Sequence, residues 1–179
     1  MVTGGARSGK SKFAESLALK LGNNKAAYIA TAQIFDEEMK YRVKLHQERR
    51  KNFWTTYEAP FDADKIILTA AENFDVILFD CVTIYLSNFL CAADIDDEKI
   101  YRDAEDLVQR LIDAAKNSNA TIIFVSNEVG LGIVPENKLA RIFRDIAGLA
   151  NQNIAKHAEK VFLTVAGLAV DVKILSEKF

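Results

Sequence analysis

Two short stretches of this chain hold residues suited to phosphate chemistry. The first is GGARSGKS, in which Gly4, Gly9, Lys10 and Ser11 fit the spacing GxxxxGK[ST]. Glycines let a backbone curl until successive N–H groups point inward at phosphate oxygens. A helix that starts where such a loop ends adds its positive N-terminal dipole. In this pattern Gly4, Gly5, Ala6, Arg7, Ser8 and Gly9 cradle the phosphates of a nucleotide. Lys10 reaches the β- and γ-phosphates, and Ser11 ligates Mg²⁺. The amphipathic stretch SKFAESLALKLG follows at once and ends at Gly22, as a helix after such a loop should. A site of this kind also needs a carboxylate at the end of a neighbouring strand, to hold Mg²⁺ through water. Asp80 closes the apolar run VILFD and is the candidate.

The second stretch is YRVKLHQERR, Tyr41 to Arg50. It holds His46, one of two histidines in the chain, among Arg42, Lys44, Arg49 and Arg50. Helical spacing puts Glu38, Arg42, His46 and Arg49 or Arg50 on one face. A lone histidine on a basic helix is most often an ordinary surface residue. The chemistry offers a second reading. Neutral imidazole is a good nucleophile, and a histidine–phosphorus adduct divides one hard displacement into two easier ones. Flanking cations disfavour the protonated ring and would bind an incoming phosphate. The other histidine, His157 in AKHAEK, stands near a helix end and reads as structural or solvated.

The elements that must position these groups show in the hydrophobic pattern. AAYIATA (26–32), DVILFDC (75–81), ATIIFVSN (120–127) and KVFLTVAG (160–167) are short, continuous apolar runs. Such runs fit strands buried on both faces of a parallel sheet. Between them Ala104, Leu107, Val108, Leu111 and Ala115 fall at helical spacing, as do Leu139, Ile142, Phe143, Ile146 and Leu149. Strands alternating with helices imply an α/β fold with right-handed crossovers and nucleotide at the carboxyl ends of the strands. The run LAVDVKIL follows Gly167 too soon for a helical crossover and predicts an antiparallel C-terminal edge strand. Only Met1, Val2 and Thr3 precede the glycine loop, so the first strand is expected to be short. No repeat, linker or low-complexity tract divides the chain, so residues 1–179 read as one P-loop nucleotide-binding domain.

Composition narrows the function classes. Lysine and arginine number 23 against 25 acidic residues, a net charge of −2 without the basic excess typical of nucleic-acid binding. The two cysteines, Cys81 and Cys91, form no CxxC pair, which argues against a zinc site or a disulfide framework and fits a cytoplasmic protein. No signal peptide is expected. The longest apolar region, Val76 to Leu90, is interrupted by Asp80 and Asn88 and is too short and polar to span a membrane.

Taken together, VTGGARSGKS, YIATAQIFDEEMKYRVKLHQERR, WTTYEAP, DCVTIYLSN and SNEVGLGIVPENKLARIFRDIAGLANQNIA carry a nearly end-to-end resemblance. The chain resembles the bifunctional adenosylcobinamide kinase/adenosylcobinamide-phosphate guanylyltransferases of cobalamin biosynthesis. The last stretch is the most specific, since a generic P-loop enzyme has no reason to carry it. The resemblance implies a P-loop (RecA-like) fold and two reactions. A nucleoside triphosphate, ATP or GTP, phosphorylates the hydroxyl of the aminopropanol arm of adenosylcobinamide. GTP then guanylylates a histidine, releasing pyrophosphate, and GMP passes to the new phosphate to give adenosylcobinamide-GDP. The guanylylated histidine corresponds to His46, which joins Lys10 as a catalytic residue. Glu58 and Pro60 match a motif close to the nucleotide, which implies that they touch the guanosine. Glu128 corresponds to a base, a metal-shell group or a structural cap. Asp145 reads as structural, while Arg141 and Arg144 stay open between site and scaffold. A homotrimer with sites at subunit junctions is also implied. The chain departs from the family in its short first strand and at Gly167, Leu168 and Ala169, where Gly-Ile-Pro is common.

Three other readings make different demands. A metabolite kinase without guanylyltransferase activity would never use His46. A non-catalytic GTP-binding switch would read guanine with Asn-Lys-x-Asp, but here SNEV puts Glu128 where the lysine would stand. A RecA-like nucleic-acid motor would want a basic surface, which the charge balance does not support.

Overall fold

The computed structural model describes residues 1–33, 53–93 and 99–177. Strand β1 (Val2–Gly4) leads into helix α1 (Lys10–Leu21), followed by β2 (Ala26–Ala30), β3 (Trp54–Glu58) and α2 (Ala63–Ala71). Then come β4 (Val76–Asp80), α3 (Val82–Ala92), α4 (Lys99–Asn117) and β5 (Thr121–Asn127). The chain continues through α5 (Lys138–His157), β6 (Phe162–Val165), β7 (Leu168–Asp171) and a single turn, α6 (Val172–Leu175).

The strands form one seven-stranded sheet in the order β3-β2-β4-β5-β1-β6-β7. Every pairing is parallel except β6 with β7, which is antiparallel. The expected α/β sheet with an antiparallel C-terminal strand is therefore present. Ala166 and Gly167 both have positive φ, 51° and 82°, and turn the β6–β7 hairpin in the two-residue form that matches strand twist.

The pleat sorts side chains between two cores, because successive residues of a strand face opposite ways. Tyr28, Val76, Leu78, Ile123, Val2 and Val125 point to one face and pack with Ala14 and Ala18 of α1. Ala27, Ile29, Ile77, Phe79 and Phe124 point to the other and pack under α2 to α5, through Ile67, Leu86, Leu111, Ile146 and Ile154. The central strands β2 and β4 are buried almost throughout, as their unbroken apolar sequences require.

Three boundaries differ from the sequence reading. β1 includes Gly4 and so reaches the first residue of the glycine loop. LAVDVKIL is not one strand: Asp171 caps a new turn by accepting from Lys173 N, and the chain becomes α6. β3, WTTYE, was not foreseen as a strand. It lies at the sheet edge with several exposed side chains, so it lacks the apolar run that marks the buried strands.

Candidate nucleotide site

The glycine loop stands at the carboxyl end of β1, between the carboxyl ends of β5 and β6. Gly9 has φ 95° and Arg7 has φ 57°, so the loop turns twice through the left-handed region before α1 begins at Lys10. Ser8 N donates to Gly5 O at 3.2 Å, and Phe13 N donates to Gly9 O at 3.0 Å as the helix starts. Lys10 curls back over the loop, its Nζ donating to Gly5 O at 3.2 Å. Gly5, Ala6 and Arg7 are exposed, so the loop's crest is open to an incoming phosphate.

The C-terminal hairpin braces this loop. Thr164, on β6, is buried; its hydroxyl donates to Thr3 O at 3.0 Å and lies 2.8 Å from Ser8 Oγ. Gly167 N donates to Ser8 O at 2.9 Å. The approach leaves no room for side chains. A Cβ on Gly4 would stand 2.4 Å from both Thr164 O and Thr164 Oγ1, and one on Gly9 would stand 3.0 Å from Gly167 Cα. Two of the motif's glycines are thus required by contacts with a hairpin about 160 residues downstream, as well as by loop curvature (Phe162 pairs with Val2; the flanking geometry follows).

Asp80 ends β4, two strands from β1 across β5, or about 10 Å at ordinary strand spacing. Alternation along β4 puts it on the face of Val76 and Leu78, which is the face α1 covers. Ser11 stands in the first turn of α1 on that same side of the sheet. The Tyr28 hydroxyl donates to Asp80 Oδ2 at 2.8 Å. Next to it, the Cys81 thiol is buried and held neutral, its pKa pushed up to about 11 by burial and then by the Asp80 carboxylate, with Lys10 pulling weakly the other way.

A second set of hydrogen bonds ties the neighbouring strand ends together. The buried Thr31 hydroxyl accepts from Cys81 N at 2.8 Å and donates to Cys81 O at 2.9 Å. Asn88 Nδ2, on α3, donates to Thr31 O at 2.7 Å and to Pro60 O at 3.1 Å. Asn127, at the end of β5, donates to Thr83 Oγ1 at 2.8 Å. The ends of β2, β3, β4 and β5 are thereby fixed relative to one another.

Glu58 ends β3 with its side chain exposed, on the same carboxyl edge but four strands from β1, about 19 Å away. Pro60 follows it and serves the Asn88 clamp through its carbonyl. Glu128 Oε1 accepts from Gly130 N and, at 3.1 Å, from Leu131 N, while its own N–H donates to Gly4 O at 3.0 Å. It acts as a cap for the loop after β5. Arg141 Nη1 donates to the carbonyls of Pro135 and Glu136, which ties the start of α5 to that loop. Arg144 and Asp145 make only a loose contact of 3.7 Å with each other. His157 is exposed at the end of α5, its Nδ1 3.0 Å from Asn153 O. His46, with Arg42, Lys44, Arg49 and Arg50, lies outside the described residues, in the sequence between β2 and β3.

Among the described residues no group of three or more His, Cys, Asp or Glu side chains could hold a metal by itself. A Mg²⁺ ion carried in on nucleotide phosphates is completed by few protein ligands. The donors expected of such a site, the Ser11 hydroxyl and the Asp80 carboxylate, are hard oxygens suited to Mg²⁺. No helix among the described residues is long and apolar enough to cross a membrane. Thr164, Thr31, Asn88 and Tyr28 escaped the sequence reading, since each is joined to the site only by folding.

Comparison with known proteins adds to this geometry. A family model described as cobinamide kinase / cobinamide phosphate guanyltransferase matches residues 1–172. The bifunctional adenosylcobalamin biosynthesis protein CobU of Salmonella typhimurium is 43% identical over 181 residues, covering 97% of this chain and 98% of its own. Protein CobP of Pseudomonas aeruginosa, described in the same words, is 40% identical over 176 residues, covering 97% of this chain and 96% of its own. Among solved structures, an ATPase from the type III secretion system of pathogenic bacteria superposes with a TM-score of 0.50 at 12% identity. The match covers 99% of this chain and 57% of that one, and the likeness concerns the fold alone.

Proposed function

The chain belongs to the cobinamide kinase / cobinamide phosphate guanyltransferase family, and from that premise we propose how its residues divide two reactions. The enzyme is a bifunctional kinase and guanylyltransferase of cobalamin biosynthesis. The observation that carries the division of labour is the layout of the carboxyl edge: a braced phosphate loop at β1, Asp80 in the middle, and Glu58 at the far side.

In the kinase step the loop from Gly4 to Gly9 and the start of α1 bind the phosphates of ATP or GTP. Lys10 neutralises charge that builds on the β–γ bridging oxygen. The cobinamide hydroxyl oxygen attacks the γ-phosphorus, the bond to that bridging oxygen breaks, and the nucleoside diphosphate leaves. Phosphoryl transfer needs little covalent help, so positioning and charge neutralisation do most of the work. Mg²⁺, held by Ser11 directly and by Asp80 through water, would supply further neutralisation of the phosphate oxygens.

In the guanylyl step a ring nitrogen of His46 attacks the α-phosphorus of GTP, and pyrophosphate departs. A phosphate oxygen of cobinamide-phosphate then attacks the same phosphorus, and the phosphorus–nitrogen bond breaks to return free histidine and give the GDP derivative. The cations near His46 in sequence would steady the phosphates. Glu58 accepts from the guanine base. A nucleotide lying from β1 toward β3 would bring base and phosphates to both groups.

The proposal extends to a homotrimer, supported by the exposed apolar side chains of the sheet's outer strand and last turn: Leu168, Val170, Ile174 and Leu175. Sedimentation equilibrium would decide it, a monomer at micromolar concentration being the contrary result. The free thiols Cys81 and Cys91 suit a reducing compartment, and the cytoplasm is the location proposed.

Labelling tests the central claim. With GTP labelled at the α-phosphate, the wild type should retain acid-labile, base-stable label on the chain, and His46→Ala should retain none. Label from the γ-phosphate should not stay on the protein. Retention of α-label by His46→Ala would remove His46 from the mechanism; absence of α-label from the wild type would reduce the reading to a kinase.

A further inference from the structure

We propose that Tyr28 is a positioning residue for metal-dependent nucleotide binding: its buried hydroxyl holds the Asp80 carboxylate in the orientation that serves Mg²⁺. The inference rests on the assignment of Asp80 to the metal and adds a group on another strand that sets its geometry.

The register places the pair. Ala30 on β2 stands opposite Asp80 on β4, and Tyr28 stands opposite Leu78. Tyr28 is therefore the diagonal neighbour of Asp80 on the same face, within reach of a long side chain. Its ring is 4% exposed and packed among Ala26, Val76 and Leu78. Trp54, on β3, meets the ring edge-on at 5.8 Å between centroids and 88° between planes. These contacts fix the ring, and the ring fixes the hydroxyl 2.8 Å from Asp80 Oδ2.

A carboxylate rotates easily about its Cβ–Cγ bond. Pinning one oxygen removes that freedom and decides where Oδ1 stands. Groups that orient a metal's carboxylate partners in this way commonly change metal affinity by about 10–100-fold when removed. A tyrosine kept two residues short of the strand end, with its hydroxyl aimed forward along the sheet, suits that task. Were the ring only core filler, the cheaper choice at this position would be phenylalanine, since a buried hydroxyl must find a partner.

The test compares the whole enzyme with Tyr28→Phe, Asp80→Asn and Trp54→Leu. For each, the affinity for a fluorescent GTP analogue is measured in excess EDTA and across a Mg²⁺ titration. Tyr28→Phe keeps the packed ring and loses only the hydroxyl. It should raise the Mg²⁺ midpoint about tenfold and leave the EDTA affinity within about twofold of wild type. Asp80→Asn should raise the midpoint at least as far. Trp54→Leu removes one support of the ring but spares the hydroxyl, so it should lower thermal stability and move the midpoint less than Tyr28→Phe does. If Asp80→Asn shifts the midpoint and Tyr28→Phe does not, Tyr28 is packing alone and the inference is wrong. A Tyr28→Phe loss of equal size in EDTA and in Mg²⁺ would overturn it too, by revealing general loosening. An unmoved midpoint in Asp80→Asn removes Asp80 from the metal's surroundings, and both the underlying assignment and the role of Tyr28 fall.

Discussion

Replacing Thr164 by valine keeps the shape of the side chain and deletes its hydroxyl. That hydroxyl is the joint between the β6–β7 hairpin and the phosphate loop: it donates to Thr3 O at 3.0 Å and pairs with Ser8 Oγ at 2.8 Å. Thr164 and Ser8 are 1% and 8% exposed, so water cannot readily replace either bond. A neutral hydrogen bond contributes about 1 kcal/mol net, and a buried group left without its partner costs about 1–3 kcal/mol. Losing both bonds should therefore destabilise the protein by about 2–3 kcal/mol. For a chain of this size that lowers the melting temperature by about 4–12 °C. Differential scanning calorimetry would read the shift, and Thr164→Ser, which retains the hydroxyl, should recover most of it. Ser8→Ala should be non-additive with Thr164→Val, with a coupling of about 1 kcal/mol in the double-mutant cycle. GTP affinity should weaken with valine and recover with serine, because the loop carbonyl bonded to Gly167 N shifts when the brace is lost. A valine variant within about 0.5 kcal/mol of wild type, or a coupling of zero, would refute the claim that the hairpin holds the loop.

Two further outcomes follow from named contacts. Glu128→Gln keeps an oxygen for Gly130 N and Leu131 N and should retain both stability and kinase activity, whereas Glu128→Ala should cost about 1–2 kcal/mol in urea unfolding; a glutamine variant that is stable yet inactive would make Glu128 a base instead of a cap. Cys81 has its pKa pushed up from the ordinary 9.0 to about 11, chiefly by burial and then by Asp80. The unfolded chain therefore loses this proton first, and stability falls as the pH rises from about 9 to about 11, at up to ~1.4 kcal/mol per unit. Unfolding of Cys81→Ala should lack that component, and identical slopes for the variant and wild type would show that the thiol ionises as easily in the fold as outside it.

The parts of the fold legible in the sequence are those written in continuous apolar runs. β2, β4 and β5 lie where Ala26, Val76 and Thr121 begin such runs, and the short return after Gly167 gave the antiparallel strand. β3 was illegible because Trp54 to Glu58 mixes exposed and half-buried residues at an edge. The glycine-loop motif and Asp80 could be proposed from the sequence because phosphate chemistry dictates local spacing. Their supports could not. Tyr28 and Asp80 are 52 positions apart, and Ser8 and Thr164 are 156 apart. No local periodicity links them; only the strand order brings them together. Glu128 read equally as a base, a metal-shell group or a cap, because its bonds to the Gly130 and Leu131 amides depend on the fold of the loop after β5.

The position of β1 has a consequence for the growing chain. It carries the phosphate loop, yet its two neighbours are β5 and β6, with Val2 pairing Val125 on one side and Phe162 on the other. During synthesis the loop's sequence emerges well before its seat. At about 5–20 residues per second, the wait is on the order of ten seconds. Until β5 emerges the first strand has both edges unpaired, and until β6 and β7 follow, its glycines have nothing to lean on. A ribosome stalled before Thr164 would hold the complete nucleotide motif without the hairpin that braces it.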